Sequence, residues 1–169
     1  IFEDLEYMHG IAATSNHLGF LYTRQKRVPE ALHYFNVARR IWKMQNDKAS
    51  LMLIYLNLSM LGFQQDKGRS VIYWSKKALS IASTFENLSV QGTAKNNIAA
   101  GYLLLNQEYD EAIQLLNEAI LIFTNSNKVE AARARLKLGQ IYLLRGEHKD
   151  GVRYLEKALR GFRQESNAE

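Results

Sequence analysis

The four histidines His9, His17, His33 and His148 are the first candidates for chemistry, because imidazole binds metals and moves protons near neutral pH. Their spacing supports neither role. His9 and His17 stand eight residues apart, on roughly one face of a helix, but no acidic third ligand accompanies them. With no cysteine in 169 residues, disulfides, thiolate zinc sites and a cysteine nucleophile are excluded. Gly62-Phe63-Gln64-Gln65-Asp66-Lys67-Gly68-Arg69-Ser70 has the outline of a phosphate-binding loop. It has five residues between its glycines rather than four, Arg69 in place of lysine, and no preceding strand. Asp110-Glu111 opens a helix, where carboxylates favour the positive end of the dipole, and that reading outweighs acid–base catalysis. No set of residues reads as a catalytic centre, and neither a metal nor a cofactor is expected.

Charge gives a second route to function. The chain carries 22 Lys and Arg against 17 Asp and Glu, a net +5. Arg133, Arg135, Lys137, Arg153, Lys157, Arg160 and Arg163 cluster toward the C-terminus, whereas residues 81–127 hold one basic and five acidic side chains. That interruption breaks any continuous track for a polyanion. Helical repeats that read single strands present paired selector side chains in every unit, and no such set recurs, so nucleic acid is not the expected partner. No apolar run approaches the roughly 20 residues of a membrane span. Ile1-Phe2-Glu3-Asp4-Leu5-Glu6 has neither the basic nor the apolar segment of a signal peptide. A cytoplasmic protein is expected, and the missing initial Met suggests a piece of a longer chain.

What positions these side chains is a repeat of about forty residues. Leu18-Gly19-Phe20-Leu21-Tyr22 returns as Leu138-Gly139-Gln140-Ile141-Tyr142, with weaker copies at Leu58-Ser59-Met60-Leu61-Gly62 and Ile98-Ala99-Ala100-Gly101-Tyr102. A large aliphatic followed by a small residue thus recurs at Gly19, Ser59, Ala99 and Gly139. A second landmark follows at Ala38, Ala78, Ala119 and Ala158, spaced 40, 41 and 39. The third unit carries one extra residue, around Asn106-Gln107-Glu108. Each unit reads as two amphipathic helices: Ala134, Leu136, Leu138, Ile141 and Tyr142 on the first of unit four, Val152, Leu155, Leu159 and Phe162 on the second. Pro29 suits a first helical turn, and Asn46-Asp47, Glu86-Asn87 and Asn125-Ser126-Asn127 mark breaks between units. The small residues allow close helix approach. One such pair cannot bury its apolar face alone, so units spanning about 9–46, 47–86, 87–126 and 127–164 are expected to stack as one domain.

Leu18-Gly19, Tyr22, Ala31, Phe35 and Ala38, with Leu138-Gly139, Tyr142, Gly146, Leu155 and Ala158, resemble the tetratricopeptide repeat signature. The resemblance covers about residues 12 to 164. It is weakest in unit two, where Val71 and Ser75 replace the usual small and aromatic residues. The family's usual period is 34 with a proline near the end of the second helix; here the period is about 40 and that proline is missing. Apolar spacing continues past the alanines, at Ile41 and Trp42, Ile81 and Phe85, Ile120 and Phe123, and Leu159 and Phe162, which implies lengthened second helices. Such units are similar to those of kinesin light chains, spindle-orientation adaptors and bacterial peptide-sensing regulators. The resemblance implies an all-α right-handed superhelical solenoid of about eight helices with no catalytic activity.

The resemblance further implies that first helices line a concave groove. Helical spacing then directs Phe20 and Arg24, Asn57, Met60 and Gln64, Asn97, and Arg133, Lys137 and Gln140 inward. An asparagine amide offers a donor and an acceptor, so Asn57 and Asn97 could hold a ligand backbone whatever its sequence. Asn96-Asn97-Ile98-Ala99 resembles a motif with which the long-repeat proteins grip ligand backbone, whereas Asn16 and Asn96 are read as structural. The carboxylate clamp of some relatives is not expected, because Phe20, Thr93 and Asn97 depart from it and only Asn57 agrees. The expected function is a peptide- or protein-binding module, with Arg133, Lys137 and Arg24 favouring an acidic segment. Three alternatives stay open: a peptide-sensing domain of a bacterial signalling regulator, nucleic-acid binding through the basic C-terminal face, and self-association through the C-terminal helix.

Overall fold

A computed structural model describes the backbone of residues 2–166 and the side chains of residues 7–164. Within them the chain forms eight helices and no strand: α1 (Phe2–Arg24), α2 (Val28–Met44), α3 (Lys48–Gln64), α4 (Gly68–Thr84), α5 (Leu88–Leu105), α6 (Tyr109–Phe123), α7 (Lys128–Leu144) and α8 (His148–Ser166). The breaks follow from local chemistry. At six of the seven turns an N–H reaches back five residues to close the preceding helix, as Arg27 does to the Tyr22 carbonyl (2.9 Å) and Glu147 to that of Tyr142 (2.8 Å). The residue before the closing N–H takes the left-handed conformation in each: Lys26, Asn46, Asp66, Glu86, Asn106 and Gly146. The extra residue of the third unit is Glu108. It sits between the closure made by the Gln107 N–H to Tyr102 and the start of α6, and is itself left-handed at φ 53°. Asp47, Asn87 and Asn127 cap α3, α5 and α7 by accepting the N–H groups of Ser50, Val90 and Glu130 at 3.0–3.1 Å.

Within a unit the two helices cross where one side is small and the other fills the gap. Gly19 faces Phe35, Gly139 faces Leu155, and in unit two both positions are serines. A Cβ on Gly19 would lie 2.4 Å from the Phe35 ring. Ser59 and Ser75 instead share a buried hydroxyl hydrogen bond of 2.7 Å, which accounts for their departure from the pattern. Tyr22 stacks on Tyr34 and Tyr142 on Tyr154 (centroids 5.5 and 5.4 Å), filling the wider end of the crossing. In unit two Trp74 uses Tyr55 instead, two turns earlier on the first helix.

Units join through the far side of each second helix. One core cluster gathers Phe35, Ile41, Trp42, Leu51, Ile54 and Leu58 from α1 to α3; another gathers Ile98, Leu116, Phe123, Leu138 and Ile141 from α5 to α7. Between the clusters α4 meets α5 backbone to backbone, since a Cβ on Gly68 would lie 2.7 Å from the Gly101 carbonyl oxygen. Successive first helices touch (α1 with α3, α3 with α5, α5 with α7), whereas no two second helices do among the described residues. The first helices therefore form the inner, concave side of the solenoid.

Candidate functional site

The concave side holds a cavity of about 330 Å³ over α3, α5 and α7. Asn57, Met60, Asn97, Arg133 and Lys137, all expected to face inward, line it, as do Thr93 and Ala100 of the same stripes. Phe20, Arg24 and Gln64 are exposed but lie outside it. Gln140 lines a separate depression with Leu103, Leu143 and Leu144. Ser59 and Val71 also line it, as do Leu56, Phe63 and Glu130, which were not singled out by spacing. Leu56 and Phe63 flank the expected stripe, so a narrow helical stripe undercounts what a curved surface gathers. Glu130 was legible in principle, as it stands three residues before Arg133, the spacing of a helical ion pair.

Hydrogen bonding sorts the polar residues of the wall. Asn57 Nδ2 donates to Asn16 Oδ1 at 2.8 Å, and Lys137 Nζ donates to Asn96 Oδ1 at 2.9 Å. Both bonds join first helices of neighbouring units, and both span 41 residues, one more than the repeat. The corresponding link between units two and three would run from position 56 to position 97. Position 56 is Leu56, which has no polar atom to offer. Asn97 is consequently left with no side-chain partner among the described residues, its amide half-buried in the cavity wall. Asn57 spends one of its two amide N–H groups on Asn16 and keeps its carbonyl oxygen open among the described residues.

The charged wall is more self-satisfied than its composition suggests. Arg133 Nη1 donates to Glu130 Oε1 at 2.7 Å, and the other Glu130 oxygen accepts from Asn96 Nδ2 at 3.4 Å. Lys137 forms no ion pair; its ammonium meets only the Asn96 carbonyl oxygen among the described residues. Burial in the groove wall lowers its pKa from 10.5 to about 8, with Glu130 opposing that shift and Arg133 reinforcing it. Chemically, a partly desolvated cation with spare donors beside an unpaired amide can accept a carboxylate and a peptide group. It offers no nucleophile–base pair, and no three metal-ligating side chains converge among the described residues. None of the described helices is long and apolar enough to cross a membrane.

Residues 91–164 and residues 11–44 each match the tetratricopeptide repeat. The chain belongs to the tetratricopeptide repeat family, whose helical repeats serve as protein–protein interaction scaffolds. Solved structures of similar fold include BtubC (BKLC) from P. vanneervenii, with a TM-score of 0.79 and 19% identity over 94% of this chain. The chain spans 65% of the length of BtubC. The MamA protein is a second such structure, with a TM-score of 0.52 and 16% identity over 94% of this chain and 96% of that one. No curated protein matches the chain in sequence.

Proposed function

We propose that the concave groove binds an extended, acidic segment of a partner protein and so scaffolds or regulates a larger assembly. Asn97 would take a backbone N–H and C=O of the segment, the Asn57 carbonyl oxygen a further N–H, and Lys137 an acidic side chain. The observation that carries this reading is the unpaired Asn97 amide. It is the one inter-unit position of the ladder left open, and it sits beside a cation that has no ion pair among the described residues. Met60 and Phe63 supply apolar wall on one side of it. An extended peptide suits such a groove because its own backbone groups need partners at every residue.

Selection from a library of short random peptides, displayed against the intact chain, tests this. Asp or Glu is expected to be enriched in the selected ligands. Asn97→Ala should weaken them roughly fivefold and Lys137→Met by tenfold or more, the loss of a neutral and of a charge-assisted hydrogen bond respectively. Arg69→Ala, on α4 away from the groove, should leave affinity unchanged. Selected peptides without acidic enrichment, or equal affinity for Asn97→Ala with an unaltered helical circular dichroism spectrum, would sink the proposal.

A further inference from the structure

We propose that the seam between α7 and α8 is a second, separate binding site, for the dianion of a phosphate group, held by Arg135, Lys157 and Arg160 with the Gln164 amide. These four side chains and Gly161 line a cavity of about 270 Å³. Arg135 lies two residues from both Arg133 and Lys137, a rotation of roughly 200° about α7, so the site faces away from the concave groove.

The repeat supplies the argument. Allowing for the extra residue at Glu108, positions 135 and 157 of unit four correspond to 95 and 118 of unit three. There Lys95 and Glu118 form an ion pair across the α5–α6 seam. In unit four the same two places hold Arg135 and Lys157, two cations, with Arg160 one turn further along α8. Neither Arg135 nor Lys157 meets a carboxylate among the described residues, and Arg160 has only the exposed Glu156 at 3.6 Å. Where unit three closes its seam with its own carboxylate, unit four repeats the geometry with the negative charge missing. An anion supplied from outside restores the balance.

Several features favour a phosphate group over a longer polyanion. A guanidinium fork presents paired donors that match phosphate oxygens, and two guanidinium groups with one ammonium suit a doubly charged ligand. Gly161 keeps the floor of the cavity free of a side chain while bringing α8 close to α7, since a Cβ there would lie 2.8 Å from that of Ala132. Corresponding places in units one and two hold Ser15 with Val37, and Tyr55 with Lys77. The charge is thus confined to one cavity rather than laid out as the repeated track a nucleic acid requires.

The test is calorimetric titration of the intact chain with inorganic phosphate, against chloride at matched ionic strength. Wild type is expected to bind phosphate saturably. Arg135→Gln and Lys157→Glu should each weaken it tenfold or more, whereas Asn97→Ala should bind as wild type. Lys157→Glu recreates the opposite charges of the third unit, so it should melt at or above the wild-type temperature in phosphate-free buffer, which separates a lost site from a lost fold. A phosphoserine peptide and its unphosphorylated twin, run as competitors, distinguish a protein-borne phosphate from the free anion. No saturable binding beyond the chloride control, or undiminished binding by Lys157→Glu, overturns the proposal.

Discussion

Lys137 offers a direct measure of how much the groove wall has been withdrawn from water. The perturbation is Lys137→Met, which keeps the length of the side chain and removes its charge. In the folded chain the ammonium has a pKa of about 8 because burial disfavours the charged form; unfolded, it returns to 10.5. The charged groups facing it are Glu130 and Arg133 on its own helix, while α5 contributes the neutral Asn96. Between these two values the unfolded chain binds more protons than the folded one, so this residue makes wild type gain stability as pH rises. Below pH 8 the desolvation cost is fully present. Raising the pH from 7 to 9.5 relieves about 2 kcal/mol of it, from the 1.36 kcal/mol that accompanies each pKa unit. Urea unfolding of both proteins at the two pH values, taken as a difference, cancels the titration of tyrosines and other lysines. Lys137→Met should equal or exceed wild type in stability at pH 7 and lose about 2 kcal/mol relative to it by pH 9.5. A difference that does not change with pH would refute the burial of the ammonium, and with it the reason for expecting a ligand carboxylate there. The same physics makes binding of an acidic ligand take up a proton, so affinity should fall as pH rises above 8.

Other consequences are simpler to read. Gly19→Ala drives a methyl group into Phe35 at 2.4 Å and should destabilise the chain by about 1–3 kcal/mol in thermal or urea unfolding, whereas Gly10→Ala, with open space around it, should be neutral or slightly stabilising. Glu86→Gly relieves a left-handed residue at a helix end (φ 51°) and should add about 0.5–1 kcal/mol, visible as a higher urea midpoint. Asn87→Ala removes the cap of α5 and should cost about 1 kcal/mol by the same assay; no change would mean that the Val90 N–H finds water as readily. Leu56→Asn gives Asn97 the partner it lacks, and should weaken selected peptide ligands, read as a larger dissociation constant.

Much of the architecture is written locally and periodically, which is why it was legible in one dimension. The aliphatic-small pairs at Gly19, Ser59, Ala99 and Gly139, the caps at Asp47, Asn87 and Asn127, and the displaced register at Glu108 each act within a few residues of themselves. A period of forty then copies them along the chain, and a helix pair too small to bury its own apolar face has to stack. Once the resemblance had assigned the concave side to the first helices, 3.6-residue periodicity gave the stripe, of which Asn57, Met60, Asn97, Arg133 and Lys137 line one cavity while Phe20, Arg24, Gln64 and Gln140 lie outside it.

Tertiary structure alone decided which of those side chains are available. The inter-unit bonds join residues 41 apart although the repeat is 40, an offset set by the way consecutive first helices slide past one another, and nothing in a single helix encodes it. That offset pairs Asn57 with Asn16 and Lys137 with Asn96, and sets Leu56 opposite Asn97, so that one of two similar asparagines is half occupied and the other open. It also decided that Arg133 is engaged by Glu130 while Lys137 is half-buried with no ion pair among the described residues, and that Arg135, Lys157 and Arg160 share one cavity. Periodicity states the direction in which a side chain leaves its own helix; whether it then meets an amide, a carboxylate or open groove depends on the neighbouring helix.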